Sequence, residues 1–322
     1  MTARITRVGI IGLGRIAESA HIPALLAIEG VQITAVCDID HKALTTLAGR
    51  YGISERYVDA AEMAAASTCD CVFVLTRPHD AHASISRMML RHGKDVLCEK
   101  PMATNLDDAR QLVDLAKETS RILMIGFNRR FMPLVRQAKS LFTGRRLEVC
   151  KISHTASSRR TNTLLDNPHA IDLMRYFIDS PPRAVHAGKP GGNTVNPSVT
   201  ALIEFESGAA GVLILNNDAG GVSEQVELHG GGLSVFLNIT DHVLRYSDRT
   251  WGDERSAPAQ WSEYRGAKQA RFEELHGFSD LDRHFVDCVR SRRPPAAGAA
   301  DAYRSHELAH RVYSEVCPVS TG

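Results

Sequence analysis

A strand-like run that ends in two closely spaced glycines leaves this chain few folds to choose from. Residues 8–17 read Val-Gly-Ile-Ile-Gly-Leu-Gly-Arg-Ile-Ala, so a β-branched segment meets Gly12-x-Gly14-x-x-Ala17 where a helix should begin. Gly12 permits the sharp turn, Gly14 lets backbone approach a pyrophosphate, and Ala17 is small enough for the helix to pack on the strand. The N–H groups and dipole of the helix start then favour the phosphates. Glycine-rich turns occur in many loops, so the motif needs context. The next strand supplies it by ending at Cys37-Asp38, 24 residues after Gly14. A carboxylate there accepts both ribose hydroxyls of an adenosine, although capping a turn is the plainer role.

Asp38 also bears on the choice of dinucleotide. A 2′-phosphate placed about 4 Å from a carboxylate costs on the order of 4 kcal/mol at an effective dielectric near 20. NAD is therefore the expected cofactor, with NADP as the alternative should Asp38 swing away or His41 or Lys42 neutralise the added charge.

Up to about residue 126 the pattern alternates short apolar runs with stretches of helical period, which is how βαβ units around a parallel sheet read. The strands expected are Val8 to Ile11, Ile33 to Cys37, Cys71 to Leu75, Asp95 to Leu97 and Ile122 to Ile125. Helix ends are legible between them: Asp40 caps a helix that stops near Gly52, Gly93 closes one beginning near Asp80, and Asn105 caps a third with Asp107 and Asp108 in its first turn. After Arg130 the rhythm changes. Helices are expected near Pro133 to Phe142 and Ala170 to Phe177, but most of Leu147 to Tyr246 reads as strands joined by tight turns at Glu206-Ser207-Gly208 and Gly230-Gly231-Gly232. Consecutive strands with short turns imply a largely antiparallel open sheet. Helical patterns return at Leu281 to Val289 and Ala302 to Val316. The expected organisation is a Rossmann domain over residues 1–125 and an α+β domain over 126–322.

Length and charge agree with this. At 322 residues the chain exceeds what one core usually organises. Its 38 basic and 37 acidic side chains leave no long-range field to attract nucleic acid. Seven scattered cysteines are expected as reduced thiols, and with no second Cys/His pair at ligand spacing no metal is expected. No apolar stretch approaches a membrane span and no signal core follows Met1, so a cytoplasmic location is expected.

Val96-Leu97-Cys98-Glu99-Lys100-Pro101 closely resembles the Glu-Lys-Pro motif of the glucose-fructose oxidoreductase / inositol dehydrogenase / rhizopine-catabolism family. Thr76-Arg77-Pro78 followed by His82, Gly93-Lys94-Asp95-Val96, Gly126-Phe127-Asn128-Arg129-Arg130-Phe131, the segment with Asp166 and His169, and the terminal helices fall in that family's order. The resemblance implies an NAD(P)-dependent oxidoreductase acting on the CH–OH group of a sugar, cyclitol or related polyol. It implies cofactor contacts from Gly12, Gly14, Arg15, Ile16, Asp38, Thr76, His82, Glu99, Lys100 and Asn128, and substrate contacts from Lys100, Arg129, Asn167 and His169. It also implies self-association, as a homodimer or homotetramer.

Lys100 is expected just past the carboxyl end of a parallel strand, where open α/β sheets place their ligands. The resemblance implies that it hydrogen-bonds the reacting oxygen. To act as a base near neutrality its pKa must fall by around three units, about 4 kcal/mol; otherwise it stays charged and stabilises the alkoxide. His169, on the first turn of a helix, has an intrinsic pKa suited to proton transfer. The family spaces its aspartate four residues before this histidine, whereas Asp166 stands three before. Asp166 therefore either orients His169 or meets the substrate independently, and Asp172 is expected to be structural. The pair Arg159-Arg160, with His154 and Asn162, is equally open to substrate contact and to solvation. Two rival activities remain for such a chain: an NAD-dependent glycosidase and a catalytically silent dinucleotide-sensing regulator.

Overall fold

The computed structural model describes residues 5–157, 165, 168–191, 198–248, 261–267 and 269–317. Two compact units divide the chain: residues 1–131 with 271–306, and residues 132–270 with 307–322.

In the first unit, β1 (Thr6–Ile11), β2 (Val31–Cys37), β3 (Glu55–Tyr57), β4 (Cys71–Val74), β5 (Asp95–Cys98) and β6 (Leu123–Ile125) form one sheet in the order β3-β2-β1-β4-β5-β6. Every pairing is parallel. The four residues of β4 and of β5 are all buried, which is why these strands are uniformly apolar apart from Asp95 and show no alternation. Asp95 accepts from the Ile122 N–H and pairs with Arg292, so its charge is met within the fold.

Helix ends follow the local chemistry. The Asp40 carboxylate accepts from the N–H groups of Lys42 and Ala43 to start helix His41–Tyr51, and Gly52 ends it at φ +66°. Asn105 accepts from the Asp108 N–H at 2.8 Å to open helix Leu106–Glu118. Strand β3 and helix Ala60–Ala66, capped by Asp59, have no counterpart among the expected elements. Each is too short to establish a period.

The expected single boundary after residue 125 differs from the observed units. Phe278, Leu281, Phe285 and Val286 of helix Phe278–Ser291, with Ala297, join the core of the parallel sheet. Burial of that apolar face recruits a segment remote in sequence.

The second unit holds β7 (Val149–Ser157), β8 (Pro182–Gly188), β9 (Val199–Phe205), β10 (Ala210–Asn216), β11 (Asp218–Gly230), β12 (Leu233–Asn238), β13 (Val243–Asp248) and β14 (Ser262–Arg265), in the order β14-β13-β12-β11-β7-β10-β9-β8. The sheet is antiparallel except where β10 runs parallel to β7. Gly208, at φ +82°, closes the β9–β10 hairpin, and the glycines at 230–232 close β11–β12. Helices Pro133–Leu141 and His169–Ile178 contribute Leu134, Val135, Ile171 and Met174 to the core that covers one face.

Candidate functional site

The carboxyl edge of the parallel sheet is stitched by four backbone hydrogen bonds. Gly12 donates to the Cys37 carbonyl at 2.9 Å, Leu75 to Ile11 at 2.8 Å, Glu99 to Val74 at 2.9 Å and Gly126 to Cys98 at 2.8 Å. Each bond ties the residue leaving one strand to the last residue of its neighbour. The segments holding Gly12, Asp38, Thr76, Lys100 and Asn128 therefore stand side by side along one edge, beside the point where the strand order reverses between β1 and β4.

Gly12 has φ +92°, and a Cβ there would lie 2.7 Å from the Leu75 carbonyl carbon. No other residue fits that turn against the loop after β4. A Cβ on Gly14 would meet nothing within 4 Å, so room for a ligand opens beside that backbone. The helical stretch at 15–26 carries one π-type turn at Ala17–His21, and the buried Ala17 seats it on the sheet. Arg15 is exposed and Ile16 half-buried. Asp38 receives the Leu13 N–H at 2.6 Å on one oxygen and the Asp40 N–H at 2.8 Å on the other. The carboxylate is thus held over the glycine turn while half-exposed, with lone pairs left for ribose hydroxyls. Thr76 Oγ1 is buried without a hydrogen-bond partner among the described residues. An open Gly14, a tethered Asp38 and this orphaned hydroxyl fit a bound dinucleotide.

Glu99 is buried, and its side chain lies over Gly126, where a Cβ would come within 2.7 Å of Oε1. Its partner is His21, fully buried, whose Nε2 stands 3.4 Å from Glu99 Oε1 while Nδ1 stands 2.9 Å from Asp282 Oδ1. The rings of Phe73 and Phe278 meet the His21 ring edge-on. Burial opposes a charge on His21, but the two carboxylates outweigh it and push its pKa up. Burial likewise works to raise Glu99, yet the bond and charge from His21, with Lys100 beyond, hold it below the usual carboxylate range. Sequence reasoning missed this carboxylate–imidazolium–carboxylate line, because His21 and Asp282 are 261 residues apart.

Lys100 follows β5 and is half-buried. Two residues expected at the cofactor make bonds to loop carbonyls within the fold. His82 is fully buried with its ring nitrogens on the carbonyls of Pro101 and Thr76, and Asn128, also buried, donates to the His276 carbonyl. Arg129 is half-buried, whereas Arg130 is buried, pairs with Asp301 at 2.6 Å and lies over the Phe127 ring.

In the second unit His169 is the first residue of helix His169–Ile178, after Pro168, and is buried, as is Asp172 one turn on. Asp166, Asn167, Arg159, Arg160 and Asn162 lie outside the described residues. A depression on the outer face of the second sheet, lined by Glu227, Phe236, Asn238, Asp241, Arg245 and Arg265 among others, includes none of the candidate residues.

Residues 6–127 match the model of an oxidoreductase family with an NAD-binding Rossmann fold. The chain is 29% identical to the inositol 2-dehydrogenase of Rhizobium meliloti, over 70% of this chain and 73% of that protein. It is 26% identical to the myo-inositol 2-dehydrogenase of Thermotoga maritima, over 92% and 91%. Among solved structures, a dehydrogenase from Chromobacterium violaceum superposes with a TM-score of 0.90 at 19% identity, over 98% of this chain and 96% of that one. All seven cysteines are unbonded, and no helix among the described residues is long and apolar enough to cross a membrane.

Proposed function

We propose that this chain, which belongs to the glucose-fructose oxidoreductase / inositol dehydrogenase / rhizopine-catabolism family, moves a hydride between a secondary alcohol of a sugar, cyclitol or related polyol and NAD. The observation that carries the reading is the stitched carboxyl edge. It aligns a pyrophosphate turn after β1, a tethered acidic residue after β2 and a lysine after β5 along one edge of the sheet, with the Thr76 loop after β4 between them. The nicotinamide, when bound, accepts or returns the hydride.

The protein's own contribution is orientation and proton handling. Gly12, Gly14 and the amides after them hold phosphate, and Asp38 holds ribose. Lys100 hydrogen-bonds the reacting oxygen and His169 exchanges the hydroxyl proton, or the two trade roles. The inositol dehydrogenases among the relatives favour a polyol substrate. Self-association is part of the same reading. The uncovered face of the second sheet presents Leu202 and Phe236, with Trp261 against the Phe236 ring, all exposed, and light scattering on the eluting protein reads the resulting mass.

A panel of NAD and NADP against sugars, inositols, amino sugars and sugar phosphates, followed by nicotinamide absorbance, tests the activity. Lys100→Met is expected to lower kcat by roughly a thousandfold while NAD titrates the protein's fluorescence as before. Turnover at the wild-type rate would remove Lys100 from the chemistry, and failure to bind either dinucleotide would remove the activity itself.

A further inference from the structure

His82 is the second residue of helix Ala81–Arg91 and has no solvent exposure. Its Nδ1 stands 2.7 Å from the Pro101 carbonyl oxygen and its Nε2 2.9 Å from that of Thr76. A carbonyl oxygen only accepts, and a neutral imidazole carries one N–H and one lone pair. A neutral ring would therefore serve one carbonyl and aim its lone pair at the other, leaving a buried repulsion with no water to relieve it. Only the doubly protonated ring donates to both.

We propose that His82 is a standing imidazolium whose two N–H groups brace the loop after β4 to the loop after β5. The brace is a positioning device. It holds Pro101, and with it the adjacent Lys100, against the segment that carries Thr76. That consequence for Lys100 rests on the function proposed above, whereas the charge state of the ring does not.

The surroundings agree. Burial works against the cation, but Cys98 beside it and the carbonyls of Pro101 and Thr76 outweigh burial and push the pKa up to about 9. The ionisable groups around the ring come from three places: Cys98 at the end of β5, Glu99 and Lys100 just beyond it, and His79 on the preceding loop. Glu99, a carboxylate, favours the cation. His79, with its ring 5.3 Å away, takes the opposite charge state: burial, then the charges of His82, Lys100 and Arg77, bring its pKa down to about 4. One histidine of the pair is charged so that the other is not.

Long-range proton–nitrogen correlation on the full chain labelled with nitrogen-15 histidine reads the ring directly. The signal is assigned by its loss in His82→Gln, or in His82→Asn if the first variant does not fold. Both ring nitrogens are expected at imidazolium positions at about pH 7.5, and to hold there until the pH approaches about 9. One pyrrole-like and one pyridine-like nitrogen at the lower pH overturns the proposal. The positioning half has its own test. A glutamine can donate to either carbonyl only through one amide nitrogen, so His82→Gln is expected to lower kcat by about tenfold or more while the NAD dissociation constant moves by less than about threefold. Unchanged kcat in that variant refutes the brace as a positioning device. An imidazolium signature in a protein that binds no dinucleotide would instead leave the charge standing and overturn the function proposed above.

Discussion

At the scale of single residues, Asp38 and His82 make opposite uses of charge. Asp38 keeps a carboxylate half-exposed over the glycine turn, anchored by the Leu13 N–H at 2.6 Å. Asp38→Asn retains an acceptor for that N–H and removes the negative charge that repels a 2′-phosphate. The ratio of NADP to NAD dissociation constants is expected to fall at least tenfold, measured by calorimetry with both dinucleotides. An unchanged ratio would mean that Asp38 caps the turn and does not face the ribose. His82 carries its charge where water is absent, and that sets a pH dependence of stability. Its folded pKa, about 9, lies above the ordinary 6.5, so its contribution is complete below pH 6.5 and is lost as the pH climbs through 9. The shift corresponds to ~3 kcal/mol. Buried cysteines such as Cys37, whose thiol burial pushes up to about 12, also weaken the fold at alkaline pH, because unfolded thiols ionise earlier. The difference between wild type and His82→Gln in urea denaturation across this range isolates the histidine, and parallel pH slopes would contradict its assignment as a cation.

At the scale of elements, close contacts decide where the functional residues sit. Helix His169–Ile178 rests on β10 at Gly211, where a Cβ would fall 2.3 Å from Met174 Sδ and 3.0 Å from Phe205 Cε2. Met174 is flexible but fully buried, so extra methyls have nowhere to go without moving the helix. Gly211→Val is expected to cost about 1–3 kcal/mol in urea unfolding, and to reduce turnover, because His169 stands at the end of the displaced helix. A variant with full stability would show that the Met174 side chain yields instead. The same logic explains Gly12, whose missing side chain admits the backbone of Leu75 and Thr76. Helix starts need less tertiary help. Asp40 and Asn105 each satisfy amides two or three residues on, which is why those starts can be read from sequence alone, whereas Asp59 makes the same cap on a helix too short to carry a period.

At the scale of the molecule, the first unit is discontinuous. Residues 1–131 by themselves lack Phe278, Leu281, Phe285 and Val286, and lack the Asp282 that faces His21. A fragment of residues 1–131 is expected to melt without a cooperative transition and to bind no NAD, with co-expression of 271–306 restoring both; calorimetric melting and fluorescence titration check this. Independent folding of 1–131 would show that the later segment is dispensable to that core. Sequence by itself determined whatever depends on neighbours a few residues apart. The glycine turn, the helices capped by Asp40 and Asn105, the turn-linked strands of the second sheet and the placement of Lys100 after β5 were all legible, because backbone dihedrals, turn chemistry and side-chain periodicity are local properties. Tertiary structure alone decided which distant groups meet. The pairing of His21 with Asp282, the parallel run of β10 beside β7, the return of 271–306 to the first unit and the meeting of His82 with the Pro101 carbonyl each join residues whose separation carries no pattern. Such contacts are selected by burial and by the satisfaction of polar groups in the assembled fold, and no window along the chain contains both partners.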